Sequence, residues 1–208
     1  MDGYTDDEQV ERIKQWWAEN GKSIIAGVVL GVAALLLWRG WIDYQRNHAA
    51  EASQQFSGLV TAFKENKTDV AASYAETLLN DYDDTPYALL AALALARVAV
   101  EADDLNQAIE QLEYVVANAE GDAIEFIARE RLARVHIATK KYDDALNVLS
   151  DGSPETFIGL FNEIRGDAYR LKGDTENARE SYRKASLSTV PVPNPDHLRI
   201  KLDDLGSA

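Results

Sequence analysis

The chain has 208 residues, no cysteine, and 35 acidic against 21 basic residues, which gives a formal net charge of -14. This length accommodates one domain with an appendage. Such an acidic chain is a poor candidate for binding nucleic acid, because phosphate binding needs a clustered basic surface. The absence of cysteine excludes thiol catalysis, disulfides and zinc sites built from thiolates.

An uncharged apolar segment lies close to the N-terminus. Residues 23–38 carry no charged side chain, and as a helix they rise about 24 Å, slightly less than the bilayer's hydrocarbon core of about 30 Å. Tryptophans border this segment on both sides, as in the aromatic belts of spanning helices, and flanking basic side chains can extend their charges outward. The expected membrane-interface anchors are Trp16, Trp17, Lys22, Trp38, Arg39 and Trp41. The pattern predicts one transmembrane helix over residues 21–42.

Two other interpretations of this segment compete with a span: a buried core helix and a cleaved signal peptide. Tryptophans on both borders argue against a core helix, since that arrangement is typical of spans. Residues 50–52 (AEA) resemble a signal-peptidase site, but residues 1–22 hold six acids against three bases, whereas signal peptides begin with positive charge. We therefore expect an uncleaved anchor.

The orientation of the anchor follows from the basic residues at its two ends. Three lie before the span and two after it, a slight bias that favours a cytoplasmic N-terminus and a C-terminal domain outside the cytoplasm. Residues 1–20 would then form a cytoplasmic tail, either an amphipathic helix on the membrane surface or a disordered acidic segment.

Within the predicted span, Gly27 and Gly31 form a G-x-x-x-G motif. This spacing lets two helix backbones approach closely. The motif predicts a transmembrane helix contact, either with a second copy of the chain or with another protein.

From residue 43 onward, apolar residues recur at helical spacing, and this part of the chain carries a net charge of -12. Helix-breaking residues divide it at Thr85-Pro86, Gly121-Asp122, Gly152-Ser153-Pro154 and Gly173-Asp174. Eight or nine helices are expected in pairs. The sequence therefore predicts an all-α protein with one N-terminal transmembrane helix and a domain of helix pairs over residues 43–208.

One helix pair resembles the tetratricopeptide pattern position by position. The matching residues are Gly166, Tyr169, Gly173, Ala178, Tyr182 and Ala185. Here small residues let two helices touch, a glycine closes the turn, and tyrosine rings fill the space between the helices. This pattern predicts a right-handed superhelix.

Earlier repeats match less well. Ala108, Ala145 and Ala178 are 37 and 33 residues apart, which brackets the 34-residue period. A weaker first unit is expected over residues 49–80, with Phe63 and Ala72 in the equivalent places, and the turns before the last one are expected to have slipped. After three prolines in the tail, residues 197–205 are expected to form a capping helix. Three to four repeats and a cap are thus expected.

No catalytic or metal-binding pattern is found in the sequence. The three histidines are far apart and lack metal-ligand spacing, and nucleotide-binding and nucleophile-elbow motifs are absent. Acidic clusters fall at expected turns, where carboxylates cap helices. We expect neither enzyme activity nor a cofactor or metal.

The inner face of the superhelix is the remaining candidate for a binding site. The side chains placed there by the repeat frame are Arg97, Glu130, Arg134, Glu163, Asp167 and Arg170. These mixed charges predict either a groove that holds a peptide segment or an ordinary solvated face with internal ion pairs, which are individually weak.

The whole chain resembles the bacterial YfgM family of ancillary SecYEG translocon subunits. The resemblance rests on residues 16–22 (WWAENGK), 27–32 (GVVLGV), 131–136 (RLARVH) and 164–175 (IRGDAYRLKGDT), with Arg39 at the exit of the span. It implies a single-pass inner-membrane protein with a cytoplasmic N-terminus and a periplasmic repeat domain. It also implies association with the translocon and with the membrane-anchored periplasmic chaperone PpiD.

Two functional hypotheses follow from these observations. In the first, the protein is a non-enzymatic scaffold that links the translocon to a PpiD-like chaperone and assists exported proteins. In the second, it is a negative regulator of an envelope-stress pathway that acts through its cytosolic tail.

Overall fold

In a computed structural model, the structure describes residues 6–119, 121, 123–150 and 152–206, with side chains from residue 10 onward. These residues form nine α-helices and no β-strand. The helices are α1 (Asp6–Lys64), α2 (Thr68–Asp81), α3 (Pro86–Glu101), α4 (Leu105–Asn118), α5 (Ala123–Ala138), α6 (Tyr142–Val148), α7 (Glu155–Lys172), α8 (Thr175–Ser186) and α9 (Pro195–Asp204). The all-α prediction is confirmed.

Helix α1 is much longer than the span predicted over residues 21–42. Its 59 residues contain no proline, and it ends only before the left-handed turn at Asn66. The chain divides into two compact units, residues 1–51 and 52–208, so α1 contributes to both. The expected boundaries after residues 20 and 42 remain predictions, and the first five residues of the expected tail lie outside the described residues.

The first unit contains the apolar part of α1. Its most apolar 18-residue window has a mean hydropathy of 2.0, and only 6 % of that window is buried. A helix packed inside a soluble core would be mostly covered, whereas apolar side chains such as Leu30 and Leu37 are exposed here. By length and composition, this helix is suited to cross a membrane.

The second unit is built from four helix pairs with the same turn. The pairs are the end of α1 with α2, α3 with α4, α5 with α6, and α7 with α8. A residue in the left-handed region, two positions before the second helix, forms each turn: Asn66, Asp103, Lys140 and Gly173, with φ of 56°, 61°, 61° and 92°. The N–H of the next residue donates to a carbonyl five residues back in every pair. The expectation of slipped turns is therefore wrong, because three non-glycine residues adopt the conformation for which only Gly173 was recognised.

The second helices share one buried alanine. Ala71, Ala108, Ala145 and Ala178 are each the fourth residue of their helix and are fully buried. Ala71 takes the place assigned to Ala72 in the sequence, and the left-handed Asn66 sets this register.

The first helices approach the second ones through glycine in two of the pairs. A Cβ at Gly166 would lie 2.3 Å from the ring of Tyr182, and one at Gly58 would lie 2.6 Å from the ring of Tyr74. The glycine and tyrosine are 16 residues apart in each case. The first and last pairs therefore use the same close approach, which the sequence analysis recognised only in the last.

Helix α9 covers the end of the array. Leu198 is buried with Val192, Ala178 and Tyr182, and Asn194 caps the helix by accepting a hydrogen bond from the N–H of His197. The helix begins at Pro195 rather than at residue 197. Proline suits this first turn because its missing N–H would have no intrahelical partner there.

Candidate binding grooves of the repeat unit

The first helix of each pair presents equivalent positions, which can be counted from the left-handed turn residue. Six residues before it stand Val60, Arg97, Arg134 and Asp167, in chain order. Ten residues before it stand Phe56, Leu93, Glu130 and Glu163. This face is therefore apolar in the first pair, basic and mixed in the middle, and acidic in the last.

The middle pairs carry local ion pairs on this face. Arg97 Nε donates to Glu101 Oε1 at 2.7 Å within α3, and both side chains are well exposed. Arg134 pairs with Glu130, one turn earlier on α5. The Arg97–Glu101 pair, in which both side chains are exposed, contributes little stability.

The acidic side chains of the last pair are covered by α9. Lys201 Nζ donates to Glu163 Oε1 and to Asp167 Oδ2, each at 2.8 Å, and all three side chains are less than a fifth exposed. The hydroxyl of Tyr182 donates to Asp167 Oδ1 at 2.7 Å. Burial, followed by this bond to a carboxylate, raises the pKa of Tyr182. Glu163 and Asp167 therefore form an internal charge network.

The six predicted groove residues consequently do not form one surface. Arg97, Glu130 and Arg134 lie on α3 and α5, Glu163 and Asp167 lie beneath α9, and Arg170 is exposed near the end of α7. The sequence predicted the capping helix but gave no sign of which charges it would cover, because that depends on tertiary packing.

An open groove lies between the end of α1, α3 and α5. Its volume is about 790 Å³, and a smaller cleft of about 330 Å³ adjoins it between α3, α4 and α5. The groove is lined by apolar side chains, among them Phe56, Val60, Phe63, Leu90 and Val98. This size is within the usual range of ligand-binding clefts.

Basic residues complete the lining of the groove. Lys64, Arg97 and Arg131 face it, with Glu101 as the acidic member of the lining. Arg131 also lines the adjoining cleft, together with Arg134. Lys64 and Arg131 are not among the predicted groove residues. The helical spacing of Phe56, Val60 and Phe63 past the span is the signal in the sequence for the α1 wall.

The three histidines lie on three different helices, α1, α5 and α9. His136 is buried, its Nδ1 has no hydrogen-bond partner there, and burial lowers its pKa. His48 stacks on Tyr44 with ring centroids 5.7 Å apart, and His197 is exposed at the start of α9. No cluster of side chains able to hold a metal ion occurs among the described residues.

The anchors predicted in the first unit are displayed on α1. The four tryptophans are all more than half exposed, and Trp17 packs its ring over Gly21, where an added Cβ would lie 3.2 Å away. At Gly27 and Gly31, an added Cβ would meet no described atom outside the local helix backbone within 4 Å. That face of α1 offers room for the close approach of another helix.

Comparison with known proteins gives consistent matches over nearly the whole chain. Residues 14–207 match the family described as a tetratricopeptide repeat-like domain. A protein of Escherichia coli (strain K12) named ancillary SecYEG translocon subunit is 34% identical over 200 residues, 96% of each chain. Proteins of the same name from Aggregatibacter actinomycetemcomitans (30% identical, covering 88% of this chain and 90% of the relative) and Neisseria gonorrhoeae (29%, covering 95% and 96%) also match. No solved structure matches. The resemblance in the sequence motifs is thus confirmed, and the chain belongs to the family of ancillary SecYEG translocon subunits with a tetratricopeptide-like domain.

Proposed function

We propose that this protein is a non-enzymatic, membrane-anchored adaptor at the SecYEG translocon. The observation that carries the proposal is 34% identity over 96% of both chains to a relative with that name. The exposed apolar helix α1 is suited to serve as an anchor, and the described part of the repeat unit offers an open groove for a partner.

The finer proposal is that the repeat unit links the translocon to a periplasmic chaperone of the PpiD type and assists exported chains. It requires a cytoplasmic N-terminus and a periplasmic repeat unit. The slight excess of basic residues before the span supports this orientation. Protease added to spheroplasts should then digest the repeat unit; protection there, with digestion only after lysis, would reverse the orientation.

Affinity purification from detergent-solubilised membranes, followed by mass spectrometry, tests the adaptor role. The full chain should recover translocon subunits together with a periplasmic chaperone. A matched variant, with residues 1–42 replaced by an unrelated single-span anchor of the same orientation, shows whether the repeat unit suffices. Recovery of neither partner class by the full chain would overturn the proposal.

A regulatory role through the tail predicts a different outcome. Deleting residues 1–20 while leaving the span intact should leave an adaptor functional, with secretion reduced little. Altered stress signalling with secretion intact would instead support the regulator.

We also propose that Gly27 and Gly31 contact another transmembrane helix, either a second copy or a partner. The open face at both glycines supports this contact. Replacing both with leucine should lower energy transfer between labelled copies in nanodiscs if the chain self-associates. It should lower only translocon recovery if the contact is with a partner; no change in either would remove the proposal.

A further inference from the structure

The groove between α1, α3 and α5 combines an apolar lining with local positive charge. Phe56, Val60 and Phe63 recur at helical spacing along the end of α1 and are half-buried, and Leu90 and Val98 of α3 are half-buried opposite them. Covering these side chains is favourable because it removes apolar surface from water. A partner with apolar side chains is therefore favoured.

The charge of the lining is opposite to that of the unit around it. Three basic residues and one acidic residue give the groove a local charge of +2, whereas residues 43–208 together carry -12. This local excess favours an acidic ligand. A polyanion such as nucleic acid is disfavoured, because the surrounding negative surface would repel it.

Arg131 is the one arginine of the described groove lining that no carboxylate of the chain engages. The guanidinium of Arg97 is engaged by Glu101 at 2.7 Å, and Arg134 pairs with Glu130. In the described part of the chain, Arg131 has no hydrogen bond or ion pair, although it lines both the groove and the adjoining cleft. A free guanidinium beside an apolar wall matches a carboxylate, which it can bind through two parallel hydrogen bonds.

We propose that this groove binds an extended polypeptide segment whose apolar side chains cover the α1 and α3 walls and whose carboxylate is bound by Arg131. The inference deepens the adaptor role, on which it rests for its biological setting, by stating the chemistry of the partner segment. Synthetic peptides test this chemistry directly, so its failure can be told from failure of the translocon assignment.

The experiment uses the full chain in nanodiscs of neutral lipid and fluorescence anisotropy of labelled peptides. One peptide is apolar with a single central glutamate, and a second has glutamine in its place. The glutamate peptide should bind about tenfold more tightly, equivalent to about 1.4 kcal/mol. Arg131→Gln should remove this difference while leaving binding of the glutamine peptide unchanged, because the apolar walls remain.

Two further variants make the result specific. Arg183→Gln, at an exposed position of α8 outside the groove lining, should retain the tenfold preference. Val60→Asp should weaken both peptides by introducing a charge into the apolar wall, and circular dichroism confirms that each variant remains helical.

Three results would overturn the inference. The first is equal affinity of the wild-type protein for both peptides, and the second is an unchanged preference in Arg131→Gln. The third is displacement of the bound glutamate peptide by anionic lipid added to the nanodiscs, together with loss of lipid binding in Arg131→Gln. That result would assign the groove to a lipid headgroup.

Discussion

The open groove of the first three helix pairs and the covered face of the last pair use the same repeat frame in opposite ways. Six residues before the turn, the middle pairs carry Arg97 and Arg134, and the last pair carries Asp167. The acidic position receives Lys201 from the chain's own α9. No described segment covers the apolar lining and Arg131 of the groove. The charge at one repeated position thus separates a surface that the chain covers itself from one left available to a partner.

Replacing Lys201, which covers the acidic face of the last pair, should lower the free energy of unfolding more than any other change considered below. Lys201→Met leaves the carboxylates of Glu163 and Asp167 largely buried without their cation, which should cost about 3 kcal/mol in the free energy of unfolding. Denaturant titration measures the change. As a control, Arg199→Met on the same helix breaks an exposed 3.8 Å pair with Asp196 and should change stability by less than about 0.5 kcal/mol.

A triple variant sharpens this test. Combining Lys201→Met with Glu163→Gln and Asp167→Asn removes the charges together and should recover much of the loss, since no unpaired charge remains. Simple additivity of the three substitutions would show that Lys201 acts through packing rather than through its charge.

Replacing the glycine of a glycine–tyrosine contact should destabilise the last helix pair more than the first. Gly166→Ala places a Cβ against Tyr182, which is fully buried and bonded to Asp167, so it should cost about 2 kcal/mol despite the better helix propensity of alanine. Gly58→Ala meets the half-buried ring of Tyr74, which has more room to shift, and should cost less than about 1 kcal/mol. Equal losses in thermal unfolding would contradict this difference.

The turns give a smaller effect. Lys140 adopts φ of 61°, a conformation that glycine reaches without a Cβ penalty, so Lys140→Gly should stabilise the unit by about 0.5–1 kcal/mol. Gly173→Ala makes the reverse change at the equivalent turn of the last pair and should destabilise it by about 1 kcal/mol. If both substitutions destabilise the unit, the left-handed conformation of Lys140 does not cost stability as expected.

The smallest effect expected is a pH dependence from His136 on α5. Burial lowers its pKa, with Asp144 and Glu113 opposing the shift, so the unfolded chain binds a proton near pH 6.5 before the folded one does. Stability should therefore fall gradually as the pH drops below about 6.5. Denaturant midpoints between pH 7.5 and 5 should show a weaker slope in His136→Gln. The exposed His197→Gln should keep the wild-type slope; a slope unchanged in His136→Gln would disprove the assignment.

Much of the fold could be predicted from local pattern, and the binding surface could not. Apolar periodicity and the breaks at Pro86 and Gly173 located the helices because local chemistry fixes those ends. The left-handed turns at Asp103 and Lys140 contain no glycine, so the local sequence pattern does not indicate them. Lys201 covers Glu163 and Asp167, which lie 38 and 34 residues earlier in the chain. This contact depends on tertiary packing, which local spacing does not reveal.

Site-specific photocrosslinking in native membranes tests the central claim most directly. A probe at Arg134, beside the open groove, should trap a translocon subunit, a periplasmic chaperone or an exported chain. The same probe at Arg170 of the last pair should give little product, and a probe at Glu110, an exposed residue of α4, controls for random collision. Strong adducts at Arg170 with none above the Glu110 background at Arg134 would contradict the assignment of the open groove as the partner-binding surface.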